Sequence, residues 1–337
     1  MFLRQKGVWT ALFGVLIAPC LADEIVATAP LLTLASYNIH VGVPMGQEIG
    51  QYKVSTDDLD KISETIQQTK AQIVALQEVD CEYGLSYPQR RRSSLLNEAR
   101  YLAASSKLNY VFGSTQDESG YPTDNPRYLE WGTADQWINN GGPHGEVGNA
   151  LLSQLPIVGR PENIPLPKDA GQERRACIRT VVDLGSILRS NATEAAGDQA
   201  TASTSGTAVI YATHLQHNDG GTRYRQMQAI LDRAKMEEPG QLVFIMGDLN
   251  HELDTAEEEN PIRLAIQNGF HDLGAADTAA GADGNPLKTF PSDKPEIRID
   301  FIFCNQALKV LKGGRVESHA SDHLPVWVQV RLDSGNR

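Results

Sequence analysis

The residues of this sequence best placed for chemistry are Asp248 and Asn250, which stand one residue apart after an apolar run. That run, residues 242–246, has the composition of a short buried strand and stops at Gly247. Such a strand would deliver a carboxylate and an amide to its C-terminal end, where open α/β sheets bind ligands. Gly-Asp-x-Asn is also ordinary turn composition, so this stretch alone leaves a plain turn equally open.

Polar residues of the same kind stand at the ends of other predicted strands. Together they form the set Asn38, Glu78, His214, Asp248, Asn250, Asp300, Asp322 and His323. Most of them also have a plainer interpretation as turn residues or solvated strand ends, and His217 could compete with His214 for any role. These plain interpretations are roughly independent, so all of them holding together is improbable. The set therefore predicts one site assembled from several strand ends.

A divalent cation and a phosphoester would give every member of this set a use. Mg²⁺ prefers oxygen ligands and keeps several waters, so one or two carboxylates such as Glu78 and Asp322 suffice to hold it against a phosphate. Histidine moves protons near neutral pH, and a carboxylate on its far nitrogen fixes its tautomer. Asp300 or Asp248 could orient His323 in this way. The residue types thus favour metal-assisted phosphoester chemistry.

Alternating strands and helices must position these residues. Strands are predicted at residues 31–37, 73–76, 111–112, 149–152, 177–182, 209–213, 242–246, 299–304 and 325–330, and helices at 57–69, 93–104, 222–235 and 261–267. In the first helix Leu59, Ile62 and Ile66 share one face, and Asp57 or Asp58 is the expected cap. Alternation from end to end favours a single α/β domain.

Two segments interrupt this alternation. Residues 114–148 lose periodicity and carry several aromatic residues, among them Trp131 and Trp137, so they are predicted to be a long aromatic loop. Such a loop is either a functional lid or a surface segment packed on its own aromatics. Residues 185–206 are rich in Ser, Thr, Ala and Gly and are predicted to be a flexible connection between neighbouring strands.

Composition and the N-terminus bear on the compartment and the partners. Residues 1–22 have a basic start, an apolar segment and small residues before a plausible cleavage site, which predicts a secretory signal peptide and export to the periplasm or the medium. Residues 23–337 would then form the mature domain; a lipoprotein anchor on Cys20 is the weaker alternative. The net charge of −12 gives no general attraction to nucleic acid, although the basic run at residues 90–92 offers a local contact.

A series of short motifs strengthens the prediction of one site. In chain order they are SYNIH (36–40), IVALQEVD (73–80), GNALLS (148–153), YATHL (211–215), IMGDLN (245–250), TF (289–290), RIDFIF (298–303) and SDHLPV (321–326). In this order they resemble the endonuclease/exonuclease/phosphatase superfamily, the DNase I-like metal-dependent phosphoesterases, and in particular its secreted bacterial members. Each motif is weak alone, and the likeness extends over residues 31–330.

The resemblance implies a four-layer α/β/β/α sandwich, with two mixed β-sheets face to face and helices outside. Glu78 would be the principal ligand of Mg²⁺ or Mn²⁺, with Asn38 and Asp322 supporting it. The implied catalytic residues are His214, Asp248, Asn250, Asp300 and His323, with Asn149 and Arg175 as substrate contacts and Thr289 as a structural partner. The resemblance leaves open whether Asp248 or His323 is the base, and whether His214 contacts the phosphate or protonates the leaving group.

These residues imply a secreted hydrolase that uses an activated water on a phosphoester. The acidic balance and the aromatic segment favour a small or lipid-derived substrate; a sphingomyelinase-like variant would bind lipid vesicles through Trp131 or Trp137. An extracellular, DNase I-like nuclease is the alternative. A non-catalytic binding module that has kept the fold is disfavoured, because no member of the implied catalytic set is missing.

Overall fold

Two mixed β-sheets form the part of the chain that the computed structural model describes, residues 29–81, 97–115, 128–139, 146–190, 206–275 and 287–332. The predicted signal peptide and the basic run at residues 90–92 lie outside these ranges. Within them, no helix combines the length and apolar character needed to cross a lipid bilayer.

The first sheet contains eight strands. They are β1 (Leu31–Asn38), β2 (Ile73–Cys81), β3 (Asn109–Ser114), β4 (Leu129–Thr133), β5 (Trp137–Asn139), β6 (Glu146–Ser153), β13 (Lys309–Arg315) and β14 (Val326–Arg331). Their order across the sheet is β13-β14-β1-β2-β6-β3-β4-β5. β1 and β2 are parallel, whereas β14 and β6 flank them in antiparallel fashion.

The second sheet contains six strands. They are β7 (Ile157–Pro165), β8 (Ala176–Asp183), β9 (Thr207–His214), β10 (Leu242–Asp248), β11 (His271–Asp272) and β12 (Asp300–Cys304), in the order β11-β12-β10-β9-β8-β7. β9 and β10 form its parallel centre, and β8 and β12 run antiparallel beside them. Each sheet therefore has a central parallel pair whose carboxyl ends share one edge.

Four of the five described helices begin at a residue whose side chain caps the helix. The five are α1 (Thr56–Thr69), α2 (Glu98–Ser106), α3 (Gly185–Ser190), α4 (Gly220–Ala234) and α5 (Pro261–Gln267). Ser55 caps α1: its hydroxyl accepts the N–H of Asp58, and the Asp58 carboxylate accepts the N–H of Ser55 at 3.0 Å. The prediction of Asp57 or Asp58 as the cap is wrong, because Asp58 is the reciprocal partner three residues into the helix.

Three apolar cores lie between four layers of secondary structure. The middle core lies between the sheets and includes Leu34 of β1 and Phe244 of β10. α1 and α2 cover the outer face of the first sheet through Ile62 and Leu102, and α4 and α5 cover the second sheet through residues such as Met227. Both sheets are buried on two faces, which confirms the four-layer α/β/β/α sandwich with two mixed β-sheets face to face.

The predicted aromatic loop over residues 114–148 is wrong in its described part. Residues 128–139 contain the strands β4 and β5, which extend the edge of the first sheet. These strands have five and three residues, too few to show an alternation of apolar and polar positions. Residues 116–127 and 140–145 lie outside the described residues.

The described aromatic residues of this segment pack locally. Tyr128 lies against Phe112 of β3, with ring centroids 6.1 Å apart. Trp137 lies against the guanidinium of Arg100 on α2, whose carbon is 3.8 Å from the ring centroid. These described contacts are with β3 and α2, outside the segment, and not with the segment's own aromatic residues as the second alternative expected.

Four further elements differ from the sequence prediction. The segment predicted as a flexible connection over residues 185–206 begins with the short helix α3, and residues 191–205 lie outside the described part. β7, β11 and β13 were not predicted. All three lie at the end of a sheet, where a strand buries little of either face and lacks the apolar alternation on which a prediction depends.

Candidate active site

A period of two along the strands brings the polar residues together. On β10, Phe244 and Met246 point into the core between the sheets, so Asp248 follows on the same face at the strand's end. The same period places Asn38, His214 and Asp300 on the inner faces of β1, β9 and β12. The site is thus the polar continuation of the middle core at one edge of the sandwich.

Glu78 reaches this edge through a β-bulge. Leu76 pairs with Ala150 and Val79 pairs with Gly148, which leaves one extra residue on β2. Glu78 lies in this bulge with a φ of 51°. Without the bulge, the period of two would place its side chain with Leu76 on the helix-covered face; bulges redirect side chains in this way.

Gly247 allows the strand carrying Asp248 to lie close to its neighbour. Its φ is +153°, and a Cβ at this position would lie 1.9 Å from the carbonyl oxygen of Thr213 on β9. Only glycine fits here without moving backbone. The glycine of the GDLN motif therefore has a structural purpose that turn composition alone does not reveal.

The site is a cleft of about 330 Å³. The predicted residues that line it are Glu78, Asn149, Arg175, His214, Asp248, Asn250, Asp322 and His323. Asn38 and Asp300 lie directly behind and contact lining residues. Every candidate residue predicted from the sequence is therefore in or against this one cleft.

At one end of the cleft, Asn38 bridges two carboxylates. Its Nδ2 donates to Glu78 Oε1 and to Asp248 Oδ2, each at 3.1 Å, while its Oδ1 accepts the backbone N–H of His40 at 3.0 Å. In this orientation the amide aligns the carboxylates through its nitrogen. Its role as a metal ligand stays a prediction.

Asp322 lies at the same end, near a histidine that was not among the candidates. His40 Nδ1 donates to the carbonyl of Val43 at 3.1 Å, which leaves Nε2 to face Asp322 Oδ2 at 3.7 Å. Burial raises the pKa of Asp322; the charges of His323 and His40 oppose this rise, and the charge of Glu78 adds to it. His40 is the last residue of the SYNIH motif, which was the available sequence signal.

His323 is paired with a carboxylate that is entirely buried. Its Nδ1 lies 2.9 Å from Asp300 Oδ2, and its Nε2 lies 3.7 Å from Asp248 Oδ2. Burial opposes the cation, but the charge and hydrogen bond of Asp300 outweigh it and raise the pKa of His323 to about 10. The ring also lies against Phe290, at 4.9 Å between centroids. His323 is therefore a cation at neutral pH.

His214 is paired differently. Its Nδ1 lies 2.9 Å from Nη1 of Arg175, and its Nε2 lies 3.4 Å from Asp248 Oδ2 and 2.8 Å from the amide of Asn250. Burial lowers the pKa of His214, and the positive charges of Arg175 and His323 lower it further. This histidine is therefore neutral at neutral pH.

Asp248 lies between the two histidines. Burial raises its pKa to about 7, with a further rise from the charge of Asp300 and an opposing effect from His323. Its Oδ1 accepts the backbone N–H of Asn250 at 2.8 Å, which fixes the carboxylate and the turn after β10 together. Asn250 itself has a φ of 50°.

Asn149 and Thr289 are placed as expected, but their polar atoms are engaged differently. Asn149 lines the cleft, and its Nδ2 donates to the carbonyl of Ala176 at 2.9 Å, whereas its buried Oδ1 has no hydrogen-bond partner among the described residues. The backbone of Thr289 accepts the N–H of Leu324 at 2.8 Å and so fixes the segment that carries His323. This agrees with a structural role for Thr289.

The cleft has further lining residues to which the sequence assigned no role, apart from His217 as a possible competitor of His214. Glu173 and His217 lie at the rim around Arg175, with about half of each side chain exposed. Val41, Ile49 and Phe290 contribute apolar wall. Exposed charged residues and scattered apolar residues are common in loops, so only the tertiary structure marks them as part of a cleft.

Comparison with known proteins now decides the family. The profile of the Endonuclease/Exonuclease/phosphatase family matches residues 35–323. The chain belongs to this family. Enzymes of this family generally hydrolyse phosphoester bonds. A search of curated proteins finds no match.

Solved structures of the family share the fold. An endonuclease/exonuclease/phosphatase from Beutenbergia cavernae is 20% identical, with 90% of this chain and 72% of that chain covered and a TM-score of 0.60. A mannosyl-6-phosphatase from Bacteroides thetaiotaomicron is 14% identical, with 89% and 100% covered and a TM-score of 0.57. The human Nocturnin catalytic domain, solved with a sulfate anion, is 16% identical, with 90% and 94% covered and a TM-score of 0.55. At these identities the likeness concerns the fold.

The donor set of the cleft fits a hard divalent cation, as expected for the family. Glu78 and Asp322 supply carboxylate oxygens at one end, close enough for the charge of Glu78 to raise the pKa of Asp322. A second group, Asp248, Asp300 and His323, also has its ligand atoms within 4.8 Å of one another. Asp300 and His323 are hydrogen-bonded to each other at 2.9 Å, which makes this second group less suited to a cation; the metal site at the Glu78 end stays a prediction.

Proposed function

We propose that this protein is a secreted, divalent-metal-dependent hydrolase of a small or lipid-derived phosphoester, in which an activated water attacks phosphorus in line with the leaving group. The position of Asp248 carries the proposal. This buried carboxylate lies 3.4 Å from one histidine and 3.7 Å from another, and Asn38 connects it to Glu78. That arrangement surrounds a phosphate-sized space with a base, donors and cation ligands.

Glu78 and Asp322 would hold Mg²⁺ or Mn²⁺ at their end of the cleft. When bound, the cation supplies positive charge to the phosphate oxygens and neutralises the repulsion between these carboxylates. Asn38 keeps Glu78 in place through its amide nitrogen. The chain's other residues then act on the phosphate and on the water.

We assign the proton-accepting role to Asp248. A base works best when its pKa is near the working pH, and burial with the charge of Asp300 raises the pKa of Asp248 to about 7. His323, with a pKa of about 10, is already protonated and cannot accept the proton. Its Nε2–H instead donates to a phosphate oxygen and stabilises the charge that develops in the transition state.

A small substrate suits the charge of the cleft better than a polynucleotide. Arg175 is the one Lys or Arg among the described residues that line the cleft, and it is buried against His214. The same walls carry the carboxylates of Glu78, Glu173 and Asp322. Binding along a nucleic acid backbone depends on several accessible cations, which this surface lacks in its described part.

The apolar wall and the composition of the N-terminus support the remaining parts of the proposal. Val41, Ile49 and Phe290 offer surface for an apolar or sugar-like leaving group. Trp131 and Trp137 are not among the described cleft residues, so a lipid-derived substrate would be recognised at the cleft itself. Export rests on residues 1–22, whose pattern is that of a signal peptide.

A phosphate-release and phosphodiesterase panel tests the activity. The mature protein is assayed on sugar phosphates, nucleotides, phosphorylated lipid headgroups and bis(p-nitrophenyl) phosphate, with Mg²⁺, with Mn²⁺ and after EDTA. We expect turnover of a small phosphoester that EDTA abolishes and Mg²⁺ or Mn²⁺ restores. Glu78→Gln should lose this metal response, whereas Glu296→Gln, an exposed residue paired only with Lys294 in the described structure, should keep it.

Two outcomes would contradict the proposal. Metal-independent turnover would exclude the cation, and no turnover of any phosphoester would exclude the activity. Digestion of plasmid DNA or RNA at low salt, with no activity on small substrates, would favour the nuclease alternative. Detection of the protein in the cytosol alone, with residues 1–22 intact, would overturn export.

A further inference from the structure

We propose that Arg175 is a positioning residue that acts through His214: it holds the imidazole neutral, with the proton on Nε2, so that His214 is a hydrogen-bond donor to the phosphate and not the acid that protonates the leaving group. The inference deepens the proposed function and rests on it for the identity of the substrate. The state of the histidine can be measured without any substrate.

In the hydrogen bond between Arg175 and His214, the guanidinium must be the donor. Arg175 Nη1 lies 2.9 Å from His214 Nδ1, and both side chains are almost completely buried, with 6% and 3% exposed. An arginine offers only N–H groups and does not lose a proton in proteins, so Nδ1 must present its lone pair. The hydrogen of the neutral ring is then on Nε2.

The backbone places the two side chains side by side. Cys177 of β8 pairs with Thr213 of β9 in antiparallel register. Arg175 comes before this pair, just ahead of β8, and His214 follows it at the end of β9, so both lie at the same end of the sheet, beside the cleft. Glu173 holds the guanidinium from the rim at 3.0 Å, and His217 lies 3.3 Å from its Nη2. Arg175 is therefore held from both sides.

These contacts argue against Arg175 as a direct substrate contact, which the family resemblance implied. Its Nη1 faces His214, and its Nη2 faces Glu173 and His217. Both terminal nitrogens are engaged by protein groups. In this proposal the guanidinium is used on protein groups, and His214 is the side chain that donates to the phosphate.

The second nitrogen of His214 faces the reacting space. Nε2 lies 3.4 Å from Asp248 Oδ2 and 2.8 Å from the Asn250 amide. A neutral imidazole has only one N–H, so its two nitrogens cannot both accept hydrogen bonds. The guanidinium cannot become an acceptor, whereas the Asn250 amide can present its oxygen by a half-turn and give up its 3.1 Å contact with the Leu215 carbonyl.

The charged groups around His214 oppose a second proton on the ring. Burial disfavours the cation, and the charges of Arg175, His323 and His217 act in the same direction; together these lower the pKa of His214. Asp248 is the one carboxylate within salt-bridge distance of the ring among the described residues, and it is shared with His323. A neutral ring keeps its one proton on Nε2, where it donates a hydrogen bond but is too weak an acid to protonate a leaving group.

Nitrogen-15 NMR of the full mature protein tests the proposal. Two-bond ¹H–¹⁵N correlation spectra distinguish the Nε2–H tautomer, the Nδ1–H tautomer and the cation, and the His214 signals are assigned by their loss in His214→Gln. We expect wild-type His214 in the Nε2–H form from pH 8 down to the lowest pH at which the protein stays folded. Arg175→Met should show a mixture of tautomers and a pKa that is raised toward the ordinary value.

Two further variants separate this role from a general effect on folding. Arg175→Lys keeps a donor that cannot accept and should retain the Nε2–H form at least in part. Arg179 is the next arginine along the chain; it lies on β8 and pairs with Glu237 outside the cleft. Arg179→Met should leave the His214 spectrum unchanged. Circular dichroism confirms that each variant is folded.

The inference is overturned if wild-type His214 is a cation or Nδ1–H tautomer at neutral pH, or if Arg175→Met leaves its tautomer and pKa unchanged. Because the measurement uses no substrate, its failure is distinguishable from failure of the proposed function. A protein with the expected spectrum and no phosphoesterase activity would retain the positioning contact and lose the proposed reaction.

Discussion

His214 and His323 stand on opposite sides of one carboxylate, and the protein treats them in opposite ways. Both rings are nearly buried, and their Nε2 atoms lie 3.4 Å and 3.7 Å from Asp248 Oδ2. The difference is on the far side of each ring. Asp300 meets Nδ1 of His323, whereas Arg175 meets Nδ1 of His214.

The comparison shows that the partner on Nδ1 accounts for the difference in charge between two buried histidines. Burial alone lowers the pKa of both rings. A carboxylate reverses this for His323, while a guanidinium reinforces it for His214. In the proposed reaction, one face of the phosphate would meet a cation, and the other would meet a neutral donor that does not neutralise Asp248.

Removing the carboxylate of Asp300 should have the largest effect on catalysis. In Asp300→Asn, His323 loses the charge that holds it as a cation, so kcat should fall by ~10³-fold or more. Steady-state kinetics on the substrate found in the panel measure this. Asp272→Asn, which breaks a buried pair with Arg298 away from the cleft, should change stability and leave kcat close to wild type. An active Asp300→Asn enzyme would contradict the role of His323.

Removing the guanidinium of Arg175 should have a smaller effect on catalysis. Arg175→Met leaves His214 in place without a fixed tautomer, and loss of such an orienting partner typically costs about 10–100-fold. We expect the loss mainly in kcat, with KM nearly unchanged, because Arg175 does not bind the substrate itself. A rise in KM at constant kcat would show that Arg175 contacts the ground-state substrate directly.

The charge of His323 also predicts a pH dependence. Its pKa is raised from 6.5 to about 10, so its pairing with Asp300 stabilises the folded state fully below pH 6.5 and loses this contribution as the pH rises through 10. In NMR titration of the metal-free protein, His323 should remain a cation at pH 8, where His214 is neutral. A neutral His323 at pH 8 would remove the contrast between the two rings.

The smallest effect is expected for His217. This histidine touches the same arginine, but about half of its side chain is exposed, so its charge is screened by solvent. His217→Ala should change kcat by less than about threefold and leave the His214 spectrum close to wild type, in line with the weak coupling of exposed charges. A loss as large as that of Arg175→Met would mean that the rim, and not Nη1 of Arg175, controls His214.

Much of the site could be predicted because it follows strand periodicity. Asn38, His214, Asp248 and Asp300 continue the inward-facing positions of apolar strands, and a strand's side-chain period is a local property. The order of weak motifs added the family and the four-layer fold. The edge strands β7 and β13 escaped prediction for the converse reason, since they bury too little apolar surface to leave a pattern.

The roles within the site depended on contacts between distant residues. The sequence shows Glu78 in LQEVD, but only the bulge opposite Gly148 turns it to the cleft. Arg175 and His214 are 39 positions apart, and His323 and Asp300 are 23 apart. No local pattern relates the members of either pair.

The sequence by itself determined that strand ends gather carboxylates, amides and histidines at one edge of an α/β sandwich, because periodicity and burial act over a few neighbouring residues. Only the tertiary structure decided which histidine carries a charge. Charge depends on the group within hydrogen-bonding distance across the fold, and that group comes from another strand. For Asp248 and Asn250, the tertiary structure replaces a plain turn with a carboxylate shared between a cationic and a neutral histidine.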